Sequence, residues 1–385
     1  MCNTGNWPRV GLMTLVVSAL GGAILLSRDT AGKPPPPPPP APVKYTMTLG
    51  PALASVRGVV ANNNGDFAGS MWVQDRITHG CVCWAPDYTT VIDLNTFLSQ
   101  EQQAAGWTIR NAYDINDNGE ITGCYESPDP ETGAFHEHAF VYIPGQGIVA
   151  LAPTEHSRGQ AINNLGEVTG CVAVQGDNDH VCVWNTLTNE VRVLDAVGVG
   201  LDINDTGQVI YHAYNVNGDW HGFRYTPAQG GNAARYEDLG ALGVLKDGTS
   251  TSHAYEINSL GQVAGNSTTA RDGWRAYRYT DGVGMVNLGT IDGGSAAKSI
   301  NDAGQVVGYS YYYDRRLGRW RYPQFLYTDA TGIINLGPLI TNPPPGADDD
   351  FFSVGQILDP APGFTYGRIT AVVGGSTFCI LTPDR

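Results

Sequence analysis

The feature that most constrains the fold is a short motif that occurs six times in the 385 residues. In a typical copy, Ile and Asn are followed by a polar residue, any residue and Gly, and then by a short apolar run that ends in Gly. Successive motif asparagines lie 41 to 54 residues apart, a period typical of an array of one supersecondary unit. The copies begin at Ala61, Ile115, Ile162, Ile203, Ile257 and Ile300.

Each motif predicts the tip of a β-hairpin. Asn can cap a tight turn through its side chain, and Gly accepts the positive φ that such a turn requires. In the sixth copy the flanking segments 298–300 and 305–308 are short and rich in β-branched residues, as half-buried strands are. The motif therefore joins the first two strands of each unit.

Two more strands complete each unit, and no segment shows a helical period of useful length. Four strands in every 41 to 54 residues predict an all-β fold, the β-propeller, with one blade per unit. The third strands are predicted at 82–84, 138–142, 180–184, 221–225, 275–279, 324–327 and 377–381. The fourth strands are predicted at 91–94, 147–151, 191–194, 236–239, 285–288 and 333–336.

The two ends of the repeat region decide the number of blades. The last unit is degenerate and ends after its third strand, whereas residues 45–50 resemble a fourth strand and precede the first hairpin. Pairing 45–50 with 377–381 would close the ring without leaving an open sheet edge. We therefore predict seven four-stranded blades within residues 45–385; six blades with residues 351–385 as a C-terminal cap is the alternative.

The repeats resemble the HAF family of extracellular repeats, named for a His-Ala-Phe sequence. Here that sequence stands at 138–140, and a looser His-Gly-Phe stands at 221–223. The resemblance covers about 45–383 and includes Asp-Leu-Asn at 93–95 with the downstream Gly-Trp at 106–107. It implies an exported repeat protein and brings no catalytic residue with it.

The N-terminal residues predict where the domain is located. Residues 10–26 carry no charge, so we interpret 1–27 as a secretory signal peptide or an uncleaved N-terminal membrane anchor. Residues 28–44 form a Pro-rich linker whose seven consecutive prolines would span roughly 20 Å as polyproline II. Both interpretations place the repeat domain outside the cytoplasm, as a secreted, periplasmic or surface-anchored protein; an uncleaved segment would also make the membrane a partner.

Charge and motifs exclude several function classes. The net charge is −15 and the sequence contains only four lysines, which argues against nucleic acid as a partner. There is no nucleophile elbow, phosphate-binding loop or dinucleotide fingerprint.

The candidate ligand-binding residues lie in segments predicted to join second and third strands. Such loops tend to carry function on a rigid scaffold, and aromatic and Arg side chains are common anchors of binding surfaces. The candidates are Tyr311, Tyr312, Tyr313, Arg315, Arg316, Arg319 and Trp320 in the sixth unit, Tyr214 and Trp220 in the fourth, and Trp274 in the fifth. They favour a binding module for a glycan, peptide or protein; the alternative is that they cover a blade edge and pair with nearby acids.

An enzyme is the second function class, as a lyase or glycoside hydrolase with its site at the channel mouth. Such a site needs converging carboxylates. Asp114, Asp202 and Glu256 are the candidates, because each stands two residues before a motif asparagine on a predicted innermost strand.

No cofactor is predicted, with calcium as the alternative. Asp114, Asn116 and Asn118 place oxygen ligands on alternate residues, as the first half of a calcium loop does. Residue 125, at the twelfth position, is Tyr where that loop has Glu, and the repeat itself accounts for Asn116.

One disulfide is predicted among the seven cysteines. Cys171 and Cys182 are expected on paired strands of one blade, with Cα atoms within the disulfide range of about 4.4 to 6.8 Å.

Overall fold

The computed structural model describes residues 43–52, 56–74, 77–86, 90–129, 131–174, 179–271, 273–345, 347, 351–373 and 377–384. The predicted signal or anchor, 1–27, and nearly all of the 28–44 linker lie outside these residues. Among the described residues, every helix is too short or too polar to span a bilayer.

The described chain forms seven antiparallel sheets arranged as a ring, which is a seven-bladed β-propeller. The first strand, β1 (Tyr45–Ala52), belongs to the last blade. Blade one has β2 (Val56–Ala61), β3 (Phe67–Gln74), β4 (Ile77–Cys83) and β5 (Ile92–Asp93). Blade two has β6 (Thr108–Ile115), β7 (Ile121–Pro128), β8 (Phe135–Ile143) and β9 (Gly147–Ala150). Blade three has β10 (Ser157–Ile162), β11 (Glu167–Ala173), β12 (Asp179–Asn185) and β13 (Glu190–Val197).

The remaining four blades follow the same order. Blade four has β14 (Gly200–Ile203), β15 (Val209–Tyr214), β16 (Trp220–Thr226) and β17 (Arg235–Asp238). Blade five has β18 (Ser252–Ile257), β19 (Val263–Thr269), β20 (Gly273–Thr280) and β21 (Gly284–Gly289). Blade six has β22 (Gly294–Ile300), β23 (Val306–Asp314), β24 (Arg319–Arg321), β25 (Gln324–Thr328) and β26 (Gly332–Asn335). Blade seven has β27 (Phe352–Ile357), β28 (Ile369–Val373) and β29 (Thr377–Pro383) in addition to β1.

Short helices occur in two connections. A 3-10 turn (Leu94–Phe97) and α1 (Gln100–Ala104) join blades one and two, and Ser99 caps α1 in a reciprocal capping box with Gln102. A second 3-10 turn (Gly337–Leu339) follows β26.

The N-terminal strand closes the ring, which confirms the seven-bladed prediction over the six-bladed alternative. Met47 of β1 lies opposite Leu381 of β29, and Leu49 lies opposite Cys379. The outer edge of β1 is covered in turn, because Asn342 bonds both the backbone N–H and the C=O of Met47. β1 is therefore paired along β29 on one side and is bonded at Met47 on the other, which limits its pairing with another chain.

The motif turns have the predicted conformation. The six motif glycines have φ values between +71° and +93°, the left-handed region that favours Gly. In blade four, Asn204 Oδ1 accepts the backbone N–H groups of Thr206 and Gln208, and the Gly207 N–H donates to Asn204 O. The asparagine and the glycine together therefore form the hairpin tip.

The hydrophobic core lies between neighbouring blades. One cluster joins Val82 and Ala68 of blade one to Ile109 and Phe140 of blade two, and the other blade interfaces are filled in the same way. Close packing near the axis requires small residues: a Cβ at Gly200 would lie 2.1 Å from Thr169 Oγ1 of blade three. The core thus holds the ring of blades together as one unit.

Candidate functional site

The motif asparagines link neighbouring blades at one mouth of the central channel. Asn62 Nδ2 donates to the backbone oxygen of Asn116 at 2.9 Å, and each later asparagine repeats this bond to the next blade. The series ends when Asn301 donates to Leu358 O, because blade seven has Leu358 where the other blades have Asn. The other links are Asn116 to Asn163, Asn163 to Asn204, Asn204 to Asn258, and Asn258 to Asn301.

The residue after each asparagine forms a second ring of bonds. In blade one, the Asn63 N–H donates to Asp117 Oδ1 of blade two at 2.8 Å, and the ring closes where the Asp359 N–H donates to Asn63 Oδ1. Six of seven blade junctions have such a bond in the described residues. The junction without one joins Asp205 to Ser259, whose side chain is shorter than Asp or Asn.

The three candidate catalytic carboxylates come together around the channel, where they accept backbone N–H groups. Asp114 accepts from Ile115 at 2.9 Å and from Ile162 of the next blade at 2.8 Å. Asp202 accepts in the same way from Ile203 and Ile257, both at 2.8 Å, and Glu256 accepts from Ile300. Each carboxylate therefore joins two neighbouring blades.

The same kind of contact crosses five of the seven blade junctions. Ser299 and Gln356 occupy the same position as the acids and accept from Ile357 and Ala61 of the following blades. Blades one and three have apolar residues there, Val60 and Ala161, and the Asp of the next blade supplies the missing acceptor with its second oxygen. Asp114 in blade two and Asp202 in blade four therefore each accept two backbone N–H groups, one from their own blade and one from the next.

Burial changes the acid–base behaviour of Asp114, Asp202 and Glu256, which we call the axial carboxylates. Removal from bulk water raises the pKa of Asp114 to about 7 and that of Glu256 to about 8. Burial, reinforced by the neighbouring Glu256 and Asp114 charges, raises the pKa of Asp202 well above its ordinary value. The accepted N–H groups oppose this change without cancelling it.

The calcium alternative is not supported by the side-chain contacts. Asp114 directs its oxygens to two backbone amides, Asn116 Oδ1 accepts from Asn118 and Glu120, and Asn118 Nδ2 donates to Asn164 O. Within the described part of the chain, no three His, Cys, Asp or Glu side chains are placed to hold a metal ion.

The predicted disulfide is wrong. In the β11–β12 pairing, Cys171 lies opposite Val181 and Cys182 lies opposite Gly170, so the register differs by one residue from the predicted one. Side chains alternate between the two faces of a sheet, and the two thiols therefore point to opposite faces. Cys171 and Cys182 are both buried and free.

The arginine- and tyrosine-rich segment of blade six is a hairpin, and its prediction as a loop is wrong. β23 extends beyond the blade and pairs with β24, which places Tyr313 opposite Trp320. The turn is stabilised because Asp314 Oδ1 accepts the N–H groups of Arg316 and Leu317. Tyr and Trp favour extended strands, and their density here explains why the hairpin forms. Arg315 and Arg316 lie in the exposed turn.

A groove separates this hairpin from blade five. Its volume is about 710 Å³, and its lining includes Trp274 and Arg275 of blade five and Tyr311, Tyr312, Tyr313 and Trp320 of blade six. Glycines form part of the lining; a Cβ at Gly294 would lie 2.3 Å from Cζ of Tyr311. The absence of a side chain at 294 lets the Tyr311 ring lie directly against the backbone.

Aromatic contacts continue from Trp274 of the groove to blade four. The Trp274 ring stacks on the His253 ring with centroids 5.4 Å apart, and the His253 and His212 ring centroids lie 5.0 Å apart. His212 lies 5.9 Å from Trp220, which contacts Tyr214 at 4.7 Å. We call the whole surface the aromatic face, which comprises Tyr214, Trp220, His212, His253, Trp274, Tyr311, Tyr313 and Trp320.

The aromatic face collects candidates from three blades and adds His212 and His253, which are not among the predicted ligand-binding residues. Burial lowers the pKa of His212 to about 4, helped by the nearby His253, and burial also lowers the pKa of His253. Burial therefore favours the neutral form of both rings, which can serve as aromatic surfaces. The sequence signal that could have identified them is their placement in strands adjacent to Trp220 and Trp274.

No protein-family model and no curated protein matches this chain. Among solved structures, it is similar to TolB from Acinetobacter baumannii, with 13% identity over 89% of this chain and 80% of that chain, and a TM-score of 0.40. It is also similar to the β-propeller domain of the Trilobed protease from Pyrococcus furiosus, with 10% identity over 89% of this chain and 93% of that chain, and a TM-score of 0.47.

Proposed function

We propose that this propeller is a non-enzymatic binding module that holds a glycan, peptide or protein on its aromatic face outside the cytoplasm. The observation that carries the proposal is the continuous ring surface across blades four to six, which ends in a groove of about 710 Å³. Rigid blades hold the rings in place, so little ordering entropy is lost when a ligand binds.

Exposure favours binding over a covering role for these rings. Tyr214 is 71% exposed, Tyr313 51% and Trp320 54%, although these side chains also touch other aromatic rings. A side chain whose role is to cover the blade edge would bury most of its area. Clustered exposed aromatic groups are typical of interaction surfaces.

The axial carboxylates give the enzyme alternative less support. The oxygens of Asp114 and Asp202 accept backbone N–H groups that hold adjacent blades together, and Ser299 and Gln356 serve the same purpose in other blades. A role that Ser and Gln also fill does not require acid–base chemistry. We therefore assign these residues to blade closure.

We further propose membership of the HAF repeat family and export from the cytoplasm. The family proposal rests on the His-Ala-Phe and His-Gly-Phe sequences, whose histidines are both buried at third-strand positions. The export proposal rests on the amino-acid pattern of residues 1–44.

A ligand screen with matched variants tests the proposed function. The full-length chain is screened against glycans and cell-surface extracts, and each ligand found is measured again with Trp320→Ala and Trp274→Ala. We expect each substitution to weaken binding by about tenfold or more, as for aromatic anchors of interfaces, with the circular dichroism spectrum unchanged. Leu187→Ala, in the exposed turn between β12 and β13, is the control and should bind normally.

Two outcomes would contradict the proposal. One is unchanged affinity of both tryptophan variants for every ligand of the native protein. The other is turnover of a glycan that Glu256→Gln abolishes, which would favour the lyase or glycoside hydrolase alternative.

A further inference from the structure

We infer that the ligand of the aromatic face is an acidic polysaccharide, whose sugar rings stack on the aromatic side chains and whose anionic groups contact the arginines of the β23–β24 hairpin. This inference rests on the proposed function and specifies the class of ligand.

Charge complementarity is the first argument. The chain carries a net charge of −15, yet the segment 309–322 contains four arginines and one aspartate. Arg315 and Arg316 lie in the exposed turn, Arg319 begins β24, and Arg275 lines the groove from blade five. Guanidinium groups bind carboxylate and sulfate oxygens in bidentate geometry. The excess of arginine over acidic residues in this segment therefore favours an anionic ligand, even though the protein as a whole is acidic.

The lining of the groove is the second argument. It has one aliphatic side chain, Ile291, and two charged side chains, Asp292 and Arg275, among aromatic, Thr and glycine residues. A protein or apolar peptide is usually anchored by side chains that fill desolvated apolar pockets. A sugar ring instead presents a flat C–H face to an aromatic ring and hydroxyl groups at its edge, which suits the exposed Trp320 and the tyrosines of β23.

The extent of the surface is the third argument. The contacts from Trp274 through His253, His212 and Trp220 to Tyr214 have centroid separations of 4.7 to 5.9 Å and cross from blade five to blade four. A single small molecule would fill only the groove. A polymer of several sugar units could contact the groove and the blade-four hairpin together, and multiple weak contacts along one chain raise its affinity.

Binding of defined polymers to the full-length chain tests this inference. The probes are polygalacturonate with carboxylate groups, heparin with sulfate groups, neutral dextran, poly-glutamate and oligothymidylate. We expect at least one acidic polysaccharide to bind and to bind more weakly as salt increases, because exposed ion pairs are screened. Dextran, poly-glutamate and oligothymidylate should bind at least about tenfold more weakly.

Variants separate stacking from charge. Trp320→Ala and the pair Arg315→Ala/Arg316→Ala should each reduce affinity for the acidic polysaccharide by about tenfold, and the arginine pair should also reduce the salt dependence. Arg192→Ala, an exposed arginine on β13 of blade three, removes a positive charge elsewhere and should leave the affinity unchanged.

The outcomes distinguish this inference from the proposed function. Trp320-dependent binding of dextran, poly-glutamate or oligothymidylate that equals or exceeds binding of both acidic polysaccharides would overturn the inference and leave the binding module intact. Binding of neither acidic polysaccharide would also overturn it. If Trp320→Ala and Trp274→Ala bind every ligand of the native protein normally, both proposals fail.

Discussion

At the scale of single residues, the axial carboxylates show two opposing effects. Asp114 and Asp202 accept backbone N–H groups, which favours their charged forms, while removal from bulk water disfavours those forms. Burial is the larger effect, so their pKa values are raised. The folded protein thus retains these carboxylates because they satisfy backbone amides, although their ionisation is unfavourable.

The raised pKa values predict that stability depends on pH. A carboxyl whose pKa is higher in the folded state binds more protons when folded, so the free energy of unfolding should fall as pH rises from about 4 through the folded-state values of about 7 for Asp114 and about 8 for Glu256. We expect a decrease of at least about 1 kcal/mol over this range, measured by urea denaturation at several pH values.

The matched variant for this prediction is Glu256→Gln, which keeps an acceptor oxygen for Ile300. Its stability should depend less steeply on pH between 6 and 8 than that of the native chain. A native chain whose stability rises across this interval would contradict the prediction.

Ser259 offers a stabilising substitution. It stands where Asn63 and Asn164 accept a backbone N–H from the preceding blade, and the Asp205 N–H has no such acceptor in the described structure. Ser259→Asn should supply the missing bond and raise the free energy of unfolding by up to about 1 kcal/mol, measured by urea denaturation. Ser259→Ala is the control; equal stability of the two variants would show that the bond does not form.

At the scale of elements, the β23–β24 hairpin determines the shape of the groove. β23 is nine residues long, and its extension beyond the blade is paired by the three residues of β24. The extension packs against the start of β22, where Gly294 lies against the Tyr311 ring. The position of the aromatic rings therefore depends on a backbone contact within blade six.

Gly294→Ala should alter the groove while preserving the blade. The new Cβ would lie 2.3 Å from Tyr311 Cζ, so the ring must move, and a side chain can move at lower cost than backbone. We expect a loss of stability of about 1 kcal/mol or less and weaker binding of any ligand that requires Trp320. The measurements are urea denaturation and calorimetric titration.

A double variant checks the cause of that effect. If Gly294→Ala acts by displacing the Tyr311 ring, Gly294→Ala/Tyr311→Ala should bind no more weakly than Tyr311→Ala alone. If the losses of binding free energy caused by Gly294→Ala and Tyr311→Ala add up in the double variant, residue 294 affects the ligand by a route other than the Tyr311 ring.

At the scale of the whole molecule, closure by β1 ties the two ends of the domain together. Tyr45 and Met47 are buried in the cluster that also contains Leu326 of blade six and Leu381 of β29. The strand thus contributes apolar area to two blades as well as pairing the edge of β29. Ring closure makes the stability of the first and last blades interdependent.

Deletion of residues 1–52 should destabilise the propeller strongly. It removes the burial of Tyr45 and Met47, worth about 1.5 to 3 kcal/mol each, and exposes the edge of β29. We expect a lower Tm and self-association, measured by differential scanning calorimetry and size-exclusion chromatography. Deletion of residues 1–42, which keeps β1, is the control, and a 1–52 deletion that stays monomeric and equally stable would contradict this role.

The features that repeat within one unit could be predicted from the amino-acid sequence. The Asn-x-x-Gly motif identified the hairpin tips, and the incomplete last unit together with residues 45–50 indicated seven blades closed by the N-terminal strand. These features depend on turn chemistry and on strand counting, which are local properties of the chain.

The features that depend on strand register or on contacts between blades became visible only in the folded protein. A shift of one residue between β11 and β12 separates Cys171 from Cys182, because each step along a strand reverses the face of the side chain. Asp114 finds its second partner, Ile162, 48 residues away in the next blade, and Trp274 meets the blade-six rings across a blade interface. Sequence spacing does not encode which side chains face each other around a ring, since blade packing sets their distances and directions.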